Sequence, residues 1–593
     1  FMMAIGDFAI VPDKWENIPL NYWVEPRYQP VAKAIFGHTP QMIGFFSQKL
    51  GVRFPWPKYD QVVVRDFVSG AMENTSASVF MEALQCTKKE LVDKNWDDII
   101  AHELFHQWFG DLVTLESWPN LPLNESFANY SQYLWDEYKY GVDEADFQAT
   151  KERQLYFFEA GRKREPLIRY HVNKPDDMFD SHSYAKGGRI LHMLRKYVGD
   201  EAFFDALKLY LNRNAFRSVE IHDLRMAFEE ITGQDLNWFF NQWFLGAGHP
   251  EMTVRFKEKP TGIQVFTEQL QDTAYTPLYQ LPLKVELWAG GECKTIPINI
   301  SHRTDSFFIA TQSVPDAVIW DAEYQLLGMV DVNLSRQQIV NQYTYAAKGI
   351  HRYDALFRLK VEFPDYKEAR LTFKKALTDP FWANRQLALE AISGLDSSFQ
   401  HSVLEKVKDM AAQDPYPLVR AQAYKMLSRF RFTDKKALLE KGLADSSLAA
   451  STAAYKAYLK EGYTDIDLKI KQLQGVEEEA YTYVLAEYYA NMPSAEGYAW
   501  FTKTLQKPAL SDSYDVLLAF GRWMDKNKDS SRIGNAIEFL YQMAKTRKKP
   551  EVVIGSYQIL KNYKSWPDVN RKRAEIKAIH KNTEFAEVLD YLE

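Results

Sequence analysis

The rhythm of hydrophobic and polar positions changes twice along the chain. Up to about residue 64, short strand-like runs surround an amphipathic stretch near 40–50 that predicts a helix, and Gln61-Val62-Val63-Val64 is a β-branched run suited to a buried strand. Gly70-Ala71-Met72-Glu73-Asn74 and the alternating stretch 76–81 together read as an edge strand carrying an acidic residue, where a solvated carboxylate is the ordinary reading of Glu73. Residues 97–109 predict a helix, with Asp97 or Asp98 near its start and Gly110 at its end. A second helix begins near Asn124 and keeps apolar residues at three- and four-residue steps as far as Tyr138. Amphipathic helices follow to about Leu245, one of them headed by Tyr184-Ala185-Lys186-Gly187-Gly188. Trp238, Phe239, Phe240, Trp243 and Phe244 read as core packing.

Gly246-Ala247-Gly248-His249-Pro250 breaks this pattern. From Glu251 to about Val332, short alternating runs separated by glycine and proline turns predict a small β-sandwich, with strands near 252–256, 262–267, 281–288, 294–299 and 317–319. From Ser335 onward the chain reads as helical. Leu377-Thr378-Asp379-Pro380, Ala412-Gln413-Asp414-Pro415 and Leu443-Ala444-Asp445-Ser446 each precede an apolar helix, at spacings of 35 and 31 residues. Spacings of that order predict stacked helix pairs in an α-helical solenoid of the HEAT or armadillo kind. Three domains are therefore expected, at 1–247, 248–332 and 333–593.

Composition narrows the class. Hydrophobic content of 46% is enough to bury large cores, and a net charge of −7 spread without long blocks argues against nucleic acid or an anionic membrane as partner. No run of about 18 apolar residues predicts a transmembrane helix. Cys86 and Cys293 are too few and too far apart for a disulfide scaffold or a metal spacing, and they leave the compartment open. The opening run, Phe1 to Phe8, reads as a buried strand with no charged leader before it. The chain is thus expected to lack an N-terminal part, and any signal segment would have belonged to that part.

The chemistry centres on His102-Glu103-Leu104-Phe105-His106. On a helix, positions i and i+4 share a face, so two imidazoles can grip one metal ion without bending the backbone. Glu103 lies beside that face, where a carboxylate can take a proton from water; this is the zinc-protease pattern. Catalytic zinc wants a third protein ligand. His171, His182 and His192 are isolated in sequence, whereas Glu125, nineteen positions after His106, allows a loop and a return onto the first helix. Its apolar surroundings, Leu123-Asn124-Glu125-Ser126-Phe127-Ala128-Asn129, suit a buried carboxylate that a metal neutralises.

Taken together, Gly70 to Asn74, the pentapeptide and Glu125 resemble the zinc aminopeptidases related to aminopeptidase N, the gluzincin aminopeptidases. The resemblance extends over most of the chain. It implies a thermolysin-like α+β catalytic domain with one zinc ion held by His102, His106 and Glu125, and Glu103 as the base that activates water. It also implies that Glu73 anchors the free α-amine of a peptide substrate, which displaces the solvated reading. Gly70, Ala71 and Met72 would line the substrate, with Gly70 and Ala71 pairing with its backbone as an added strand. Tyr184 would donate to the tetrahedral oxyanion. The expected activity is release of single residues from peptides with a free N-terminus.

Two departures qualify the match. Thr75 stands where many relatives have tryptophan, so the pocket for the first side chain is expected to differ. The family's N-terminal β domain, which gives a second contact to the amine, is expected to be missing, so the chain should bind zinc yet turn over substrate poorly. A leukotriene-hydrolase-like branch shares the motifs and also opens a lipid epoxide, an activity nothing in this sequence demands. An inactive peptide-binding protein working through its solenoid is the remaining alternative; intact Glu103 and Tyr184 argue against it.

Overall fold

The structure, a computed structural model, describes residues 2–311, 313–476, 478–507 and 513–592. They fall into two compact units, Phe1–His401 and Ser402–Glu593.

The first unit begins with a five-stranded sheet. Ala9–Trp15 and Ile18–Val24 pair as an antiparallel hairpin. Ile18–Val24 then runs parallel to Tyr59–Val64, which runs parallel to Ala77–Met81. The two-residue strand Ala71–Met72 pairs antiparallel with Ala77–Met81 and forms the sheet's edge. The edge position thus belongs to Ala71–Met72, and the alternating stretch after it lies one strand further in. The buried strand expected at 61–64 is present. The strand expected over the first eight residues is not: Met2 to Phe8 is irregular, and Met3 and Ile5 are 82% and 84% exposed. Phe1 lies outside the described residues. Gly6 and Asp7 both disfavour extended pairing, and among the described residues no strand pairs with this backbone.

Helix Thr39–Leu50 packs between the sheet and the helix Asp97–Phe105, with the Phe46 ring edge-on to Phe105 at 4.9 Å. Asp97 fastens the N-terminal end of the latter helix. Its buried carboxylate accepts from Trp135 Nε1 at 2.8 Å and Tyr140 Oη at 2.6 Å, both from the next long helix or its end, Pro122–Lys139. Helix Asp97–Phe105 stops four residues short of the expected end. Gln107 and Trp108 donate to Leu104 and Phe105, three residues back, so the chain tightens into turns before Gly110. Next to the long helix lies Gly187–Val198, and the approach is close: a Cβ on Gly187 would stand 1.8 Å from Ser126 Oγ. Only glycine permits that contact, beside Glu125. The aromatic cluster near 240 is core as expected, with Phe239, Phe240, Trp243 and Phe244 buried.

The β module contains a four-stranded and a three-stranded sheet whose inward residues, Val254, Val265, Leu283, Val285 and Ile298 among them, join one core with the helices before them. Gly290 and Gly291, at φ 59° and 83°, make the tight turn between Leu281–Ala289 and Glu292–Ile300 that an antiparallel hairpin requires. Two strands escaped the sequence pattern, Thr304–Ala310 and Met329–Asn333. Both are largely solvent-facing, which weakens their alternation.

Helices Arg336–Tyr345 to Trp382–Ser393 belong to the same unit. Lys348 Nζ pairs with buried Asp146 at 2.8 Å, and Trp382 Nε1 donates to Glu144 at 2.7 Å. The second unit is helical. Pro417–Leu427, Leu448–Glu461, Glu479–Ala490, Ser513–Lys526 and Pro550–Lys561 pack each on the next, with intervening helices alongside. The recurrent aspartates have a local purpose. Asp379, Asp414 and Asp445 each accept from the backbone N–H two residues on, at 2.9, 2.9 and 2.8 Å, and so turn the chain into the following helix. Arg420 adds a two-pronged grip on Asp445 at 2.9 and 2.7 Å. Among the described residues, no helix is long and apolar enough to cross a membrane.

Candidate metal centre

His102 occupies the last turn of helix Asp97–Phe105, and His106 caps it one turn later. Glu125 lies in the first turn of Pro122–Lys139, which packs against that helix. The three side chains converge. Glu125 Oε2 is 3.2 Å from His102 Nε2 and 3.3 Å from His106 Nε2, and all three residues are buried. Donors about 2.0–2.1 Å from a tetrahedral ion lie roughly 3.3–3.4 Å from one another, so the separations suit zinc. The surroundings suit it as well. His106 Nδ1 donates to the Phe109 carbonyl at 2.9 Å, which leaves Nε2 free to bind metal. His102 Nδ1 lies 3.1 Å from the Gln132 amide, whose oxygen must face the ring when Nε2 holds a metal.

The local field is strongly negative. Burial opposes a charge on His106, yet Glu73 and Glu125 override it and drive its pKa well above the ordinary value. Burial likewise opposes ionisation of Glu125, but charge and hydrogen bonds from the two histidines hold its carboxyl far below the usual range. A dication placed there would meet that field directly.

Glu103 sits beside the donors and is 5% exposed, with Oε2 buried and without a hydrogen-bond partner. Burial, reinforced by the nearby carboxylates, pushes its pKa well above the usual range. Glu73 follows the edge strand, its Oε1 3.9 Å from His106 Nδ1, and it shares a tight cluster with Glu103 and His106. Gly70 and Ala71 precede it: Gly70 accepts from Met81 N at 3.0 Å, Ala71 pairs with Phe80, and Met72 is 42% exposed. Tyr184 arrives from the π-helical turn His182–Lys186, its ring parallel to His102 at 5.9 Å. Burial and the Glu125 charge both raise its pKa, so the hydroxyl keeps its proton. Such one-turn irregularities recur where a helix must aim a side chain into a site.

Several contributors have no mark in the sequence. Gln132 is an exception, since it lies seven residues after Glu125 and so on the same helical face. Asp111, whose carboxyl burial pushes up to about 7, accepts from Thr75 Oγ1 at 2.9 Å. His182, isolated in sequence, is buried 3.5 Å from Glu159 and 3.7 Å from Asp180. Arg169 already pairs with Asp180 at 2.7 Å, so the charge of that group is compensated without a metal. It shapes the turn instead: Asp180 Oδ1 accepts from His182 N and Ser183 N at 3.1 and 3.0 Å, just before Tyr184.

Residues 35–243 match the peptidase family M1 domain, and residues 369–458 match HEAT repeats. The chain is 35% identical over 261 residues to aminopeptidase N of Streptomyces lividans, covering 42% of this chain and 30% of that protein. It is 32% identical over 266 residues to aminopeptidase M1 of Arabidopsis thaliana, covering 43% and 30%. Probable aminopeptidase 2 of Sulfurisphaera tokodaii is 29% identical over 296 residues, covering 48% and 37%. The matched stretch thus spans about a third of the length of these curated relatives. Legionella pneumophila aminopeptidase A, solved in complex with aspartic acid, shares the fold over 99% of this chain and 77% of its own, with a TM-score of 0.68 at 14% identity. Residues 35–243 are similar to the peptidase family M1 domain, and that stretch contains the buried cluster of His102, His106 and Glu125.

Proposed function

We propose that the chain is a zinc aminopeptidase that removes single residues from peptides bearing a free N-terminus. The observation that carries this reading is the fixed place of the Glu73 carboxylate, 3.9 Å from a ring nitrogen of His106. A carboxylate set against the far side of a metal-binding imidazole would hold a substrate ammonium at a set distance from the bond to be cut. The residues that would hold zinc are His102, His106 and Glu125. When bound, zinc polarises a carbonyl and lowers the pKa of water.

The remaining steps belong to the chain. The unpaired edge of Ala71–Met72 takes the substrate backbone as a further strand. Glu73 holds the ammonium. Glu103, whose burial raises its affinity for a proton, takes one from the attacking water and passes it to the leaving amine. Tyr184 donates its hydroxyl hydrogen to the oxyanion that forms on the substrate.

Acetylating the substrate's N-terminus removes the charge Glu73 would hold. Hydrolysis of an aminoacyl chromogenic substrate should then disappear, and efficient cleavage of blocked or internal bonds would defeat the reading. Tyr184→Phe should lower kcat by about 10²–10³ with little change in KM. A change confined to KM would remove Tyr184 from the oxyanion role.

A further inference from the structure

The segment that carries Glu73 leaves the sheet as soon as it has formed it. Ala71–Met72 is only two residues long, and Ser76 already has a left-handed backbone at φ 60°. Between them the chain makes a turn closed by Ala77 N donating to Asn74 O at 2.7 Å. Such a turn has little rigidity of its own, yet Glu73 needs a definite place relative to the metal donors.

The restraint comes from the other side of the site. Gln107, the residue after His106, is fully buried and uses both ends of its amide on this segment. Its Nε2 donates to the Glu73 carbonyl at 2.9 Å, and its Oε1 accepts from Ser76 N at 2.7 Å. The orientation of the amide is fixed by its partners, because a carbonyl only accepts and a backbone N–H only donates. The Gln107 backbone is itself held: its N–H donates to Leu104 O at 3.1 Å, and its carbonyl accepts from Trp56 Nε1 at 3.1 Å. Thr75 Oγ1 donating to Asp111 Oδ1 at 2.9 Å adds an outer tie.

We propose that Gln107 is a positioning residue that sets the distance between Glu73 and the metal donors. The amide that grips the Glu73 backbone belongs to the residue directly after His106, so the metal side and the amine side share a single rigid turn. This inference rests on the aminopeptidase reading, with Glu73 as the amine anchor. Its consequence is specific: loosening Gln107 should weaken recognition of the amine while leaving the metal side intact.

Two probes separate these effects: leucine hydroxamate, and the same hydroxamate without its α-amine. Inhibition constants would be measured on the zinc-loaded 593-residue chain. In Gln107→Met, which keeps the side chain's size and removes both hydrogen bonds, the preference for the amine-bearing probe should fall about tenfold or more. Affinity for the amine-free probe and zinc content should not change. Gln107→Asn, polar and one methylene shorter, should move the preference in the same direction and serves if the methionine variant does not fold. A general structural role would weaken both probes equally, and that result overturns the proposal. So does an unchanged preference in variants of a wild-type chain that has one. A wild-type chain with no preference for the amine overturns the aminopeptidase reading itself, and the inference falls with it.

Discussion

Replacing Glu103 with glutamine is expected to leave the zinc content unchanged and to lower kcat by about 10²–10⁴. Glutamine has the same shape but cannot take a proton. Glu103 stands outside the converging trio of His102, His106 and Glu125, so the metal side should not register the change. The fold should tolerate it too. Glu103 is buried, and its Oε2 has no hydrogen-bond partner, so removing its charge relieves a desolvation cost. Tm should therefore stay level or rise slightly. The measurement pairs metal content by mass spectrometry with turnover of an aminoacyl substrate. Loss of zinc in step with activity would show that Glu103 is part of the metal's coordination and not the base.

How much of this was legible in the sequence depends on the range over which each feature is encoded. His102 and His106 are one helical turn apart, so their shared face follows from backbone geometry alone. Glu125 was readable because a charged residue in an apolar helical stretch needs compensation. The repeated aspartates of the helical region were visible as a motif, and their role in turning the chain into each helix is local. Gln107 gave no such signal. Its partners, Glu73 and Ser76, are more than thirty residues away, and a glutamine after a histidine has no preferred meaning in sequence. The same holds for His182, whose acidic neighbour Glu159 comes from a different helix. The opening run misled for the opposite reason. Its residues are apolar enough for a buried strand, but burial needs a partner, and composition does not supply one. The early end of helix Asp97–Phe105 was equally hidden, because Gln107, Trp108 and Phe109 favour no particular stop; the turns there serve contacts with Trp56 and the Glu73 segment.

The complementary change, Glu125→Gln, should act on the metal. With glutamate, two neutral imidazoles and one carboxylate leave a dication with a single net positive charge in a buried site. With glutamine the full double charge would remain there, and burial of uncompensated charge is costly. The neutral amide is also a weaker donor. Zinc content as isolated should therefore drop well below one ion per chain, and activity should follow it, returning in part as zinc is added in excess. The helix itself should persist. Pro122–Lys139 stays pinned by Ser126 Oγ donating to the Ser183 carbonyl at 2.7 Å and by the glycine contact at Gly187, neither of which involves the carboxylate. Circular dichroism of the apo variant should thus match that of the chelator-treated wild type. The pair of variants divides the site cleanly: Glu103→Gln keeps metal without turnover, while Glu125→Gln loses metal and, with it, turnover. A Glu125→Gln chain that holds a full equivalent of zinc against a chelator as firmly as wild type would remove Glu125 from the ligand set. The third donor would then have to be sought among the other carboxylates clustered with His106, which are Glu73 and Glu103.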